Sequence, residues 1–164
     1  MVLAVVVAAC GSAPEQAARA RVLVVRPPND SIRFEAPARA QRCSGGTGRA
    51  GLLLQGSRDG NGVIVWLRGS PADSLARAPW PLLQRGDTVS PRGATVGVRY
   101  MLHEVAHGLP LDSGTVEVRA NGGAVTVVAR GTGLETMAAG RVALEVSLDA
   151  VPLGIDSVSC GPRP

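Results

Sequence analysis

Apolar residues occupy alternate positions over much of the chain, and short runs of this kind are separated by glycine-rich turns. Between residues 95 and 102, Val96, Val98 and Tyr100 fall on one side of an extended chain, while Arg99 falls on the other. Residues 141–149 keep the same period of two. Because the side chains of a β-strand point to alternate faces, this period predicts half-buried strands. We therefore expect an all-β domain, an antiparallel β-sandwich or barrel of about eight or nine strands.

Two hairpins are the clearest local predictions. Residues 51–55 and 62–67 are apolar runs separated by Asp59-Gly60-Asn61, which tolerates the positive φ of a tight turn. Residues 115–120 and 124–130 are likewise separated by Asn-Gly-Gly. Shorter strands are predicted at 22–25, 31–35, 41–43 and 156–160.

One short helix is predicted over residues 70–78. Ser70 can cap a helix, Pro71 suits its first position, and Asp73 would lie in its first turn. The sequence names no ligand or protein partner, and the loops at 44–50, 56–61 and 85–94 are where we would look for a binding surface. Arg-Gly-Asp at 85–87 is interpreted as a chance tripeptide.

The composition fits one globular domain that does not bind nucleic acid. Hydrophobic residues make up 45% of the 164, aromatic residues only 2%, so the core must be built from Val, Leu and Ala. The net charge is +4, yet all 17 basic residues are arginine and they are spread singly along the chain. Nucleic-acid sites instead cluster basic residues into a patch. No apolar run approaches the roughly 20 residues of a membrane-spanning helix.

The N-terminus carries a processing motif. Residues 2–9 are apolar and end in VAACG at 7–11. This resembles a bacterial lipoprotein signal with its lipobox, although no positive charge precedes the apolar segment. The resemblance implies cleavage before Cys10, a lipid on the Cys10 sulfur, and attachment to a membrane through that lipid. It places the protein in the bacterial cell envelope, at the outer membrane facing the periplasm or at the cell surface.

The domain boundaries follow from that motif. Residues 1–9 would be the lipoprotein signal peptide, 10–21 a lipidated tether and 22–164 a single β domain. Cys43 and Cys160 then remain as an even pair in an oxidising compartment, which predicts a disulfide between them. Closing a loop of that size stabilises a domain by roughly 4–5 kcal/mol in the chain-entropy model.

Residues 103–107 read His-Glu-Val-Ala-His, the spelling of a zinc peptidase, and contain the chain's only two histidines. On a helix, His103 and His107 would share one face as zinc ligands, and Glu104 would act as general base on a zinc-bound water. This alternative makes the protein a small zinc-dependent metallohydrolase. Its third ligand would have to be Glu135, the only plausible carboxylate of a later helix.

The surroundings of the motif favour the other interpretation. Residues 95–100 read as a strand, and Gly108 and Pro110 leave room for about two helical turns. We therefore prefer chance spelling at a sheet edge, with no catalytic residue, metal or cofactor, in a lipid-anchored envelope protein whose β domain has a structural or binding role.

Overall fold

All regular structure in the described part of the chain is β-strand, which confirms the predicted fold class. The computed structural model describes residues 18–44, 50–69, 78–87, 89–121, 123–136 and 140–159. Its ten strands are β1 Arg19–Arg26, β2 Asp30–Ser44, β3 Ala50–Arg58, β4 Asn61–Arg68, β5 Ala78–Trp80, β6 Gly93–Leu102, β7 Val105–Pro110, β8 Ser113–Asn121, β9 Ala124–Leu134 and β10 Arg141–Ser159. The helix predicted over 70–78 lies outside the described residues except at Ala78, which begins β5.

The strands follow the order β5-β8-β9-β10-β1-β2-β3-β4-β6-β7, with β2 and β10 also pairing with each other. The first part of β2 pairs antiparallel with β1 and its second part with β3. The first part of β10 pairs with β9 and β1, whereas its end runs parallel to β2. Two sheets are therefore joined by strands that pass from one to the other, as in orthogonal sandwiches and barrels.

The two strands that pass from one sheet to the other, β2 and β10, correct two sequence predictions. Residues 31–35 and 41–43 belong to the single strand β2, and residues 141–149 and 156–159 belong to the single strand β10. Pro37, which suggests a break because it cannot donate a backbone hydrogen bond, lies where β2 changes partners. In β10 the register shifts between Leu148 and Val151, and Ala150 has a φ of 45°. Such a bulge bends a strand without ending it.

The first strand begins before the predicted start of the β domain. β1 begins at Arg19, inside the segment predicted to be a tether, and Ala20 is completely buried. Arg19 and Arg21 point outward, where they form ion pairs with Glu35 and, for Arg21, also with Asp149. One small apolar residue between two arginines resembles a linker in sequence, although it has the alternation of a strand.

The core lies between the two sheets and is made of alternate residues from nearly every strand. Valine, leucine and alanine dominate it, as the composition predicts, and Tyr100 is the largest completely buried side chain. Both predicted hairpins form, as β3–β4 and β8–β9. In the first, Asp59 and Gly60 form the turn with φ values of 51° and 79°.

The ends of β7 and β9 approach each other closely, although the two strands are at different places in the sheet order. A β-carbon at Gly133 would overlap the carbonyl oxygen of Pro110. Just beyond, the Asp112 amide donates to the Thr132 carbonyl at 3.2 Å. Glycine at position 133 is therefore required by contact with neighbouring backbone. The candidate functional site lies beside this contact between β7 and β9.

Candidate functional site

The His-Glu-Val-Ala-His segment forms a β-hairpin. β6 ends at Leu102, which pairs directly with Val105 at the start of β7. The two residues between them, His103 and Glu104, have φ values of 53° and 71°. Positive φ at both central positions is the geometry of a type I′ hairpin turn. The helix on which the zinc-peptidase arrangement depends is thus absent from residues 101–110, all of which are described.

The hairpin gives the two histidines different surroundings. His103 and Glu104 are exposed at the turn. His107 points toward the core, where it is directly opposite Tyr100 and stacks on its ring, with centroids 5.5 Å apart and planes inclined by 11°. The shared helical face that would present both imidazoles to one metal does not exist. Across the described residues, no three His, Cys, Asp or Glu side chains are grouped so that they could hold a metal ion.

His107 instead meets Glu135, whose side chain is completely buried just after the end of β9. One carboxylate oxygen, Oε1, contacts Nδ1 of His107. The other, Oε2, accepts a hydrogen bond of 2.9 Å from Nε of Arg26 at the end of β1. The Tyr100 hydroxyl lies near enough to this carboxylate to lower its pKa. We call Arg26, Tyr100, His107 and Glu135 the Glu135 cluster.

The electrostatics of the Glu135 cluster favour the charged form of the carboxylate at neutral pH. Burial by itself raises the pKa of Glu135, but the hydrogen bond from Arg26, the nearby Tyr100 hydroxyl and the Arg26 charge outweigh it and hold that pKa below its ordinary value. The hydrogen bond to Glu135 raises the pKa of Arg26. Burial, followed by the interaction with Glu135, raises the pKa of the Tyr100 hydroxyl. Near neutral pH the cluster therefore holds an ion pair and a neutral phenol.

Thr136 continues the same attachment one residue further on. Its backbone amide donates to the Gly108 carbonyl at 2.8 Å, and the Gly108 amide donates to Thr136 Oγ1 at 2.8 Å. Glu135 contacts His107, and Thr136 contacts Gly108. Two consecutive residues after β9 therefore bind two consecutive residues of β7. The arrangement joins an edge strand of one sheet to a strand end of the other.

The chemistry available to the Glu135 cluster is limited by access. Tyr100 and the Glu135 side chain are completely buried, and the side chain of His107 is only 11% exposed. Among the described residues, the Tyr100 hydroxyl, His107 Nδ1 and Glu135 Oε1 are buried in the cluster and none of them forms a hydrogen bond of ordinary geometry. The Glu135 side chain therefore presents no surface to solvent. The cluster is suited to fastening the sheets together.

A second polar group shapes the loop at 85–90. Arg68, which is 4% exposed, donates from Nη2 to the Asp87 carbonyl at 2.6 Å and from Nη1 to the Ser90 carbonyl at 3.0 Å. The Asp87 carboxylate accepts from the hydroxyl and amide of Ser90 and from the amide of Val89. These bonds, with the Arg68 charge, lower the pKa of Asp87 to about 2. The carboxylate of Asp87, the acidic residue of the Arg-Gly-Asp tripeptide, therefore accepts hydrogen bonds within its own loop.

Sequence reasoning recognised His107 and Glu135 but not the two residues that complete their cluster. Tyr100 was placed in the core by its alternation, and a buried tyrosine hydroxyl needs a partner, which is a signal of a nearby acceptor. Arg26 carries no such signal, because a lone arginine before Pro27-Pro28 reads only as the end of a strand.

The remaining sequence-predicted sites lie mainly outside the described residues, which exclude 1–17 with Cys10, and 160–164 with Cys160. Cys43 is 3% exposed in β2, and the parallel end of β10 pairs Val158 with it. The described residues contain no helix long and apolar enough to cross a membrane. Comparison with protein-family models, curated proteins and solved structures finds no significant match to this chain.

Proposed function

We propose that this chain is a lipid-anchored protein of the bacterial cell envelope, with a β domain that binds or supports other molecules and performs no catalysis. The anchor is supported by the lipobox-like residues 7–11 and by the start of β1 at Arg19. Eight residues lie between Cys10 and Arg19, so a fully extended chain separates these two residues by at most about 32 Å. A lipid on Cys10 would hold the domain close to the membrane surface.

The non-catalytic role rests on one observation: the residues of the zinc-peptidase motif form a hairpin turn and packing contacts of the β domain. His103 and Glu104 form a hairpin turn, and His107 packs on Tyr100 and Glu135. Each residue that the hydrolase interpretation needs has a structural role, and the buried carboxylate is neutralised by Arg26. These contacts do not fit a zinc site, so the metallohydrolase is not proposed.

The anchor is tested by metabolic labelling with radioactive palmitate in a bacterial host that expresses the full chain. We expect label in the native chain and none in Cys10→Ser, while Ser12→Ala serves as a matched control and keeps its label. Equal labelling of native protein and Cys10→Ser would contradict lipid attachment at Cys10. Density-gradient separation of the membranes and protease treatment of intact cells then distinguish the periplasmic face of the outer membrane from the cell surface.

The absence of catalysis by zinc is tested separately by metal analysis of the purified chain. We expect less than stoichiometric zinc in the native protein after growth in zinc-supplemented medium. One zinc per chain, lost in the His103→Asn variant, would contradict the proposal and restore the hydrolase interpretation.

A further inference from the structure

A groove of about 730 Å³ crosses the outer face of the sheet formed by β2, β3, β4, β6 and β7. It is separate from the Glu135 cluster, none of whose four residues lines it. Its volume falls within the range of about 300–1,000 Å³ typical of small-molecule sites. It is larger than a second groove of about 460 Å³ that is lined by Arg21, Phe34 and Glu35 among others.

The floor of the groove is flat because glycines occupy positions where outward side chains would stand. One row of paired residues runs Arg39–Gln55–Ile64–Gly97–Pro110 across five adjacent strands. In the next row, Gly62 of β4 pairs with Arg99 of β6, and Arg99 pairs with Gly108 of β7. Ile64 is 47% exposed in the middle of this floor. An exposed apolar strip between glycines offers contact area to a flat apolar body.

The charged residues that line the groove are all positive. Arg39, Arg85 and Arg99 line the groove, and no Asp or Glu does. All three arginines are exposed, and none forms an ion pair within the described ranges, where most other acids pair with different arginines. Arg39 and Arg99 stand on strands three positions apart in the sheet, about 14 Å across at ordinary strand spacing. Their guanidinium groups flank the apolar strip.

We propose that this groove binds an anionic amphiphile, a molecule with an apolar body and a carboxylate, phosphate or sulfonate head. The body would lie on Ile64 and the glycine floor, and the head would pair with Arg39 or Arg99. Guanidinium groups suit such heads because they donate two parallel hydrogen bonds to one oxyanion. This site does not depend on the lipid anchor, since every residue involved belongs to the β domain.

The binding test uses the full chain carrying Cys10→Ser, so that no lipid or detergent competes. The probe is 8-anilinonaphthalene-1-sulfonate, whose sulfonate and rings have the proposed chemistry, and its fluorescence is titrated to saturation. We expect one saturable site, with Kd raised about tenfold in the Arg39→Gln, Arg99→Gln double variant. The Arg119→Gln, Arg130→Gln pair removes the same charge from exposed positions elsewhere and should change Kd less than twofold.

A second variant blocks the floor without changing the charge. A β-carbon at Gly97 would meet only Ile64 Cγ2, at an ordinary 3.5 Å, so Gly97→Val fits the strand and should fold. We expect it to abolish saturable probe binding while near-ultraviolet circular dichroism stays native. Binding unchanged in Gly97→Val, or equal in the two arginine double variants, would overturn the proposal.

Competition experiments identify the source of the ligand. Displacement of the probe by dodecanoate, with none by dihexanoyl phosphatidylglycerol, points to a free fatty acid, and the reverse points to a phospholipid headgroup. Displacement by either supports an anionic amphiphile. Displacement by the neutral dodecyl maltoside to the same extent as by dodecanoate would contradict it, because the arginines would then contribute nothing.

Discussion

Glu135 contacts His107 through one carboxylate oxygen and Arg26 through the other, so one buried side chain just after β9 links the end of β1 to the middle of β7. The sequence distance between the partners is large, since Arg26 and Glu135 are 109 residues apart. The link lies where β7 of one sheet meets the end of β9 from the other. The His-Glu-Val-Ala-His segment, whose sequence matches a zinc-peptidase motif, is thus part of the structure that joins the two sheets.

Glu135→Gln should lower the free energy of unfolding by about 1–3 kcal/mol, because it removes a charged hydrogen-bond acceptor from a buried site. The pKa of Glu135 is below its ordinary value in the folded state, so its contribution is present at neutral pH and is lost as pH falls through that lowered pKa. Urea unfolding at pH 7 and at pH 2.5 measures both effects.

An Arg26→Gln variant and the double variant with Glu135→Gln complete the comparison. The loss in the double variant should be clearly smaller than the sum of the two single losses, since both break one interaction. Strict additivity would mean that the pair does not interact energetically. Glu117→Gln, on an exposed strand position, is the matched control and should change stability by less than about 0.5 kcal/mol.

Gly133→Ala should destabilise the domain strongly, by about 1–3 kcal/mol or more, because its methyl group would occupy the position of the Pro110 carbonyl oxygen. Gly140→Ala introduces the same group where nothing lies within 4 Å, and should be neutral or slightly stabilising. Thermal unfolding of the two variants provides the comparison. Equal melting temperatures would show that β7 and β9 are not packed as described.

Asp87→Asn should loosen the loop that Arg68 holds, because the amide cannot keep the acceptor bonds to Ser90 and Val89 together with the charge pair. The folded-state pKa of Asp87 is about 2 and its ordinary value is 3.8. Its stabilisation is therefore complete above pH 3.8 and declines between pH 3.8 and about 2. Melting temperatures of native protein and Asp87→Asn should differ at pH 7 and converge near pH 2. A constant difference across this range would contradict the assignment.

The predicted Cys43–Cys160 disulfide can be examined by alkylation and mass analysis of protein secreted to the periplasm. We expect these two thiols to resist alkylation until a reductant is added, and reduction to lower stability by about 2–5 kcal/mol. Cys160→Ser should reproduce that loss and expose one thiol after unfolding. Alkylation of both cysteines in unreduced, unfolded protein would show that no bond forms.

The local pattern of this sequence predicts most strand positions but not how strands change partners. Val96, Val98 and Tyr100 alternate strictly, and β6 forms where they predict it. Pro37 and residues 150–155 look like breaks because a missing donor and a lost alternation normally end a strand. Within a fold that bends its strands from one sheet into another, the same features mark corners.

The candidate site shows the limit of spacing arguments. The interval of four between His103 and His107 fits a helix face, yet Leu102 and Val105 close a two-residue hairpin turn. Asparagine and glycine are the usual signals for that turn, and His-Glu is not among them. The pairing of His107 with Glu135 depends on a contact between sheets, which no local pattern encodes. Gly108 and Pro110 did correctly argue against a helix.

The most direct test of the structural role of this motif is the free energy of unfolding of His103→Asn and His107→Asn, each measured with and without a metal chelator. Asparagine tolerates the positive φ at position 103, so we expect that variant to remain within about 0.5 kcal/mol of the native chain. His107→Asn should lose about 1–2 kcal/mol through its stacking on Tyr100 and its contact with Glu135. The chelator should change neither value. An equal loss in both variants, reproduced in the native chain by the chelator, would contradict the account and establish a metal site.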